Sequence, residues 1–135
     1  MATIYDIGKA RFDSTTLPVT ALSVVSTLCN LTRTANEYLL TRSFVLTQSD
    51  ILVALEKATG TKWTVAYRDS EETRWQGWKL VESGNPQEGI PKVVQGSLFN
   101  DKTDVVVAEE RLVNDLLNLP RVDLGEYAKT SVATQ

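Results

Sequence analysis

Apolar residues in the first third of the chain recur in two different rhythms. Thr3 to Phe12 reads as a short strand with Gly8 as a bend, and Ser14-Thr15-Thr16 then supplies hydroxyls suited to capping a helix. Pro18 fits a first helical turn, and Leu17, Ala21, Leu22, Val25 and Leu28 follow at helical spacing until Asn30 and Thr32-Arg33-Thr34 end the pattern. Glu37 to Leu46 predicts a buried strand. Thr47, with Asp50 three residues on, predicts the cap of a second helix whose apolar face is Ile51, Leu52, Leu55 and Ala58, closed by Gly60. Lys62 to Tyr67 predicts a third strand, with Trp63, Val65 and Tyr67 on one side by the period of two.

The carboxy-terminal half reads as helices. Asp69 and Glu72 have capping-box spacing at the start of a third helix, which Gly84-Asn85-Pro86 closes. Ile90, Val93, Val94 and Leu98 predict a fourth helix with Pro91 in its first turn. Glu109 to Leu119 predicts a fifth, with Leu112, Leu116, Leu117 and Leu119 inward and Pro120 as its stop. Asp123 to Ala128 adds a turn, and Thr130 to Gln135 is expected to fray. The order of elements implies an α/β fold of α+β-like character, a small three-stranded sheet with about five helices, in a single domain spanning residues 1–135. So small a sheet leaves edges and faces for another layer or another copy to cover, and a homodimer is expected.

Composition narrows the chemistry. With 14 basic and 17 acidic residues the net charge is -3, and the basic residues are scattered, so no basic stripe exists for a nucleic acid. The chain has no histidine, which removes the usual general base near neutral pH, Ser-His and Cys-His nucleophiles, and His-based metal sites. Cys29 is the single cysteine, so a disulfide framework is excluded; at the end of an apolar helix it is expected to be buried and inert. No clustering of carboxylates suggests a metal. No leader and no membrane-length apolar run is found, and a cytoplasmic location is expected.

Four segments carry a family likeness: Thr3–Leu17, Ser43–Trp63, Trp63–Glu72 and Asp115–Tyr127. In this order they resemble the carboxy-terminal, substrate-binding half of fungal NmrA-like, isoflavone-reductase-like proteins. The most specific stretch is S-x-x-x-T-Q-S-D-x-L-x-A-L-E-K-A-T-G-x-K-W, from Ser43 to Trp63. The resemblance implies a substrate-pocket wall normally paired with a Rossmann half that holds nicotinamide cofactor. That half's glycine loop has no counterpart here, since the seven glycines are isolated, so no cofactor is expected and the family's redox chemistry does not carry over. The chain also departs from the family pattern at Ile7-Gly8-Lys9, at Leu117-Asn118-Leu119-Pro120 and in the aromatic segment Arg74–Trp78.

Candidate site residues follow from these placements. Trp75 and Trp78, three apart on the third predicted helix, could form an aromatic wall for a polycyclic or prenylated ligand; core packing or a dimer seam is the alternative use. Tyr67, Asp69, Glu71 and Glu72 cluster where a strand ends and a helix begins, a favoured ligand position. Asp69 and Glu72 read as caps, which leaves Glu71 and Tyr67 as candidate catalytic acid or base, with Glu71 shielded by the tryptophans. Arg74, Phe99 and Arg11 complete the candidate substrate-binding set, Arg11 for a carbonyl or carboxylate and Phe99 beside an opening, against the plainer uses of surface ion pair and core packing. Two function classes follow. One is a cofactor-independent isomerase or cyclase, pericyclic chemistry included, which folds an apolar fungal secondary metabolite into a reactive conformer. The other is a non-catalytic module that homodimerises or complements a separate Rossmann chain.

Overall fold

The computed structural model describes residues 1–133. Strand β1 (Ala2–Tyr5) pairs in parallel with β4 (Val65–Arg68), Ala2 opposite Val65 and Tyr5 opposite Arg68. Strand β2 (Phe12–Ser14) pairs antiparallel with β3 (Phe44–Leu46). The α/β character is as expected, but the strands divide between two small sheets instead of forming one three-stranded sheet. The division follows from the bend after β1: Asp6 and Gly8 both take left-handed backbone, so Thr3–Phe12 breaks into two strands with different partners. At Gly8 a Cβ would lie 2.7 Å from Ile4 Cγ2, so a side chain there would collide with the strand it has just left.

Between and after the strands run α1 (Leu17–Cys29), α2 (Leu31–Thr34), α3 (Gln48–Thr59), α4 (Ser70–Glu82), α5 (Pro86–Leu98) and α6 (Leu124–Ala133). Their ends obey the local chemistry. The Thr16 hydroxyl accepts from Val19 N, with Pro18 in the first turn. Thr47 and Asp50 complete a reciprocal capping box on α3, and Gly60 closes that helix with φ 65°. Pro86 takes the first position of α5, so this helix starts a turn earlier than its apolar spacing predicts and Pro91 falls inside it.

The predicted fifth helix is absent. Glu109–Arg111 forms a single 3₁₀ turn, the backbone next to it is extended, and residues 114–118 form hydrogen-bonded turns. Val105 bridges to Phe12, Leu112 bridges to Leu40, and the Asp13 carboxylate takes Val107 N at 2.7 Å. These tertiary hydrogen bonds override the helical spacing of the leucines, although Leu117 is buried as expected. The predicted Glu37–Leu46 strand likewise shrinks to Phe44–Leu46 plus the bridge at Leu40, with Asn36 left-handed and Tyr38 in solvent. Thr130–Ala133, expected to fray, belong to α6; Thr134 and Gln135 lie outside the described residues.

Two carboxylates tie the sheets to the helices. Asp6 Oδ1 accepts from Ser70 N at 2.9 Å, and Oδ2 accepts from Ser70 Oγ at 2.7 Å and Asp101 N at 3.2 Å. Asp101 accepts from Ile7 N, Lys9 N and Ala10 N at 2.6–2.8 Å. The loop between β1 and β2 is thereby fixed to the start of α4 and the loop after α5. Beneath it lies an aromatic core, Phe99 stacked on Tyr5 at 5.6 Å and edge-on to Phe12 at 5.2 Å. Helices α4 and α5 pack backbone to backbone: a Cβ at Gly77 would meet Val93 N at 2.7 Å, and one at Gly96 would meet Ser70 O at 2.4 Å.

Two predictions follow from this frame. Burial alone would raise the Asp6 pKa, but the hydrogen bonds from Ser70 and Asp101 and the nearby Lys102 charge outweigh it and hold the carboxyl below its ordinary value. Its contribution is therefore complete above the unfolded value of about 3.9 and fades as pH falls through the lower folded value. Asp6→Asn is expected to cost about 2 kcal/mol at neutral pH and to flatten the acid side of the stability profile in urea titrations; an unchanged acid limb would contradict this. Gly96→Ala is expected to lower stability by about 2 kcal/mol through overpacking, with α4 and α5 loosening together in amide exchange.

Candidate ligand cleft

A cleft of about 280 Å³ opens where the β2–β3 sheet meets α3 and α6. Its walls follow from helical spacing. Ile51, Ala54 and Leu55 sit at i, i+3 and i+4 on α3, and Leu124, Tyr127 and Ala128 have the same spacing on α6. The two helices pack against each other, Phe44 and Leu46 supply the floor, and the Phe44 and Tyr127 rings lie 6.4 Å apart with 50° between their planes. Hydroxyls also line the cleft: Ser14 at the end of β2, Thr15 in the turn into α1, and Ser131 from α6. No lining residue carries a formal charge. Thr15 Oγ1 donates to Thr41 O at 3.2 Å and Ser131 Oγ to Tyr127 O at 2.9 Å. Among the described residues the Tyr127 hydroxyl makes no hydrogen bond, so it can meet a ligand's polar atom. The site suits an apolar, partly flat molecule with one or two oxygen functions.

The residues singled out from the sequence lie elsewhere. Glu71, Arg74, Trp75 and Trp78 share the outer face of α4, because small residues (Ser70, Thr73 and Gly77) take the inner face against α5. Trp75 and Trp78 are 56% and 53% exposed, with Lys79 Nζ 3.6 Å from the Trp75 ring centroid. Tyr67, on β4 just before this helix, is 67% exposed. Glu71 is not enclosed by the tryptophans: it pairs with Lys102 at 2.8 Å, and this hydrogen bond and charge raise the Lys102 pKa. Asp69 caps α4 through Glu72 N at 2.7 Å, as its position predicts. Arg11 pairs at the surface with Asp104 at 3.7 Å. Phe99 packs in the aromatic core and borders a smaller cavity of about 110 Å³ together with Trp63 and Leu55. Cys29, expected to be buried, is exposed, because the apolar side of α1 faces outward.

Arg42 gave no signal in the sequence. Its side chain is largely buried and pairs with Asp13 at 3.2 Å and with Glu109, while also donating to Val107 O at 2.9 Å. Asn114 clamps the same residue's backbone in both directions. With these partners Arg42 anchors the 105–114 segment over β2; nothing in the local pattern TRSF distinguishes it from a surface arginine.

No family model matches the chain. It is 40% identical over 130 residues to a protein named oxidoreductase aprR from Aspergillus flavus, an alignment covering 93% of this chain and 42% of that protein. It is 37% identical over 83 residues to oxidoreductase poxI from Penicillium oxalicum, covering 62% of this chain and 24% of that one. The chain is thus related to fungal proteins named oxidoreductases and spans about two fifths of the length of aprR.

A dinucleotide, the cofactor that the resemblance to isoflavone-reductase-like proteins implies for their Rossmann half, does not fit the strand-to-helix turns of the described residues. Such turns bind pyrophosphate through free amides and close backbone approach. At the start of α3 the Asp50 carboxylate closes the capping box, and at the start of α4 Asp69, Glu71 and Glu72 bring negative charge. The turn into α1 lacks glycine, and Pro18 removes an amide. Gly77, Gly89 and Gly96 are spent on the α4–α5 contact.

The Glu71–Lys102 pair gives a direct check on the outer face of α4. Glu71→Gln is expected to leave the thermal midpoint unchanged, as exposed pairs do, and to bring the Lys102 pKa down toward its ordinary value in an NMR titration. A Lys102 pKa that the substitution does not move would contradict the pairing.

Proposed function

We propose that this chain forms the substrate-side part of an NmrA-like, isoflavone-reductase-like protein and holds an apolar small molecule in the cleft between β2–β3, α3 and α6. The observation that carries this reading is the uncharged lining, with helical faces of Ile51, Ala54, Leu55, Leu124, Tyr127 and Ala128 around a volume of about 280 Å³. Kinship with proteins named oxidoreductases over 93% of the chain supports it.

The chemistry that suits such a site is conformational. A cofactor-independent isomerase or cyclase, pericyclic reactions included, gains most from fixing two reacting ends of one molecule together, and this requires shape more than charge. The Tyr127 hydroxyl is placed to bias charge by one hydrogen bond. Glu71 and Tyr67, the acid and base drawn from sequence, would act on a ligand lying across the outer face of α4 against Trp75 and Trp78. A second reading, a non-catalytic module that homodimerises or completes a separate dinucleotide-binding chain, has one observation in its favour: the apolar side of α1 lies exposed.

Binding tests the cleft. An uncharged apolar fluorescent probe such as Nile red is expected to bind, with affinity falling at least about tenfold, roughly 1.4 kcal/mol, in Ala54→Phe, which fills the space. Tyr127→Phe keeps the shape and is expected to weaken only ligands that carry an oxygen function. Equal affinity in Ala54→Phe together with loss in a Trp75→Ala, Trp78→Ala double variant would move the site to α4. Conversion of a candidate polyene or terpenoid without added nucleotide would support the isomerase or cyclase reading; conversion only with reduced nicotinamide and a second chain would support the module.

A further inference from the structure

Helix α1 is turned inside out. Leu17, Ala21, Val24 and Leu28 fall on one side at i, i+4, i+7 and i+11, and all are exposed, Leu17 at 80%, Val24 at 56% and Leu28 at 63%. Leu22, Val25 and, in the following helix, Leu31 widen the same apolar surface. The opposite side carries Val19, Ser23, Ser26 and Thr27, and only Val19 is buried. The hydroxyls of Thr20, Ser23 and Thr27 donate to carbonyls of α1 itself or its cap, so they need no neighbour. Folding has therefore placed the polar side inward and left a continuous apolar side uncovered.

We infer that the outer face of α1 is a self-complementary interface, occupied by α1 of a second copy of this chain across a two-fold axis. Two observations favour a second copy. The segment from Ser14 to Thr32 contains no charged residue, so two copies meet without like-charge repulsion, and the face offers no charge by which a different partner would be selected. Six exposed leucines and valines (Leu17, Leu22, Val24, Val25, Leu28 and Leu31) run along α1 into α2, enough to form the apolar centre of a standard interface of about 800 Å² per partner. An antiparallel pair also sets the two helix dipoles in opposition, and Ala21 allows close approach beside the axis. Leu17 also borders the cleft, whereas Val24 and Leu28 do not, so substitutions at those two positions test the interface apart from the cleft.

The test is the mass of the full chain in solution at micromolar concentration, by light scattering after size exclusion. The expected value is twice the 15.0 kDa of one chain. Val24→Asp and Leu28→Glu are expected to weaken dimerisation at least about a hundredfold, to a single-chain mass, while keeping cooperative thermal unfolding, since both positions are already exposed. Ile90→Asp, on exposed α5, is expected to leave the dimer intact. A wild-type chain that stays single, or a dimer that survives both α1 substitutions, would overturn the interface; so would loss of the dimer in Ile90→Asp alone.

Discussion

The placement of the two sheets against α4 and α5 depends on two carboxylates. Asp6 and Asp101 accept backbone amides from the β1–β2 loop, from the first turn of α4 and from each other's loop. A two-stranded sheet is marginal by itself, and here two such sheets face different partners. The hydrogen bonds to Asp6 and Asp101 fix the bend between β1 and β2, and hence the position of β2, β3 and the cleft beside them. Asp6 takes left-handed backbone to reach both Ser70 and Asp101, a conformation its short polar side chain tolerates.

From that frame the helices distribute their faces unexpectedly. α4 and α5 approach through glycine and small side chains, so their bulkier residues point outward. α1 buries little beyond Val19. Only α3 and α6 turn conventional apolar stripes toward each other and the β2–β3 sheet, and the cleft lies in that layer. Three apolar surfaces among the described residues differ in character: a concave one with hydroxyls in its lining, a convex aromatic one on α4 beside charged neighbours, and a charge-free convex one on α1.

Much of the local structure was legible. The caps at Thr16, Thr47, Asp69 and Gly60 and the extents of α1 and α3 follow from the sequence, because they depend on neighbours within a turn. Leucine spacing over 109–119 misled, since Leu40 pairs with Leu112 and takes Val113 N, while Asp13 and Phe12 hold the backbone just before that segment from far along the chain. The site was least legible. Trp75 and Trp78 have the right chemistry for a ligand wall, but which way a helix turns depends on what its partner allows, and Gly77, Gly89 and Gly96 decide that for α4. The spacing of small residues at Ser70, Thr73 and Gly77 was the available signal. Tyr127 stood inside a segment already noted for its family likeness, yet its place over Phe44 depends on α6 reaching α3, which no local pattern shows.

The most direct measurement is amide and methyl shift mapping by NMR while an apolar ligand is titrated into the full chain. The account expects perturbations to centre on Leu46, Ala54, Leu55, Tyr127 and Ala128, with Trp75 and Trp78 indole signals unmoved. Shifts concentrated at Trp75, Trp78 and Tyr67, with the α3–α6 layer silent, would contradict it.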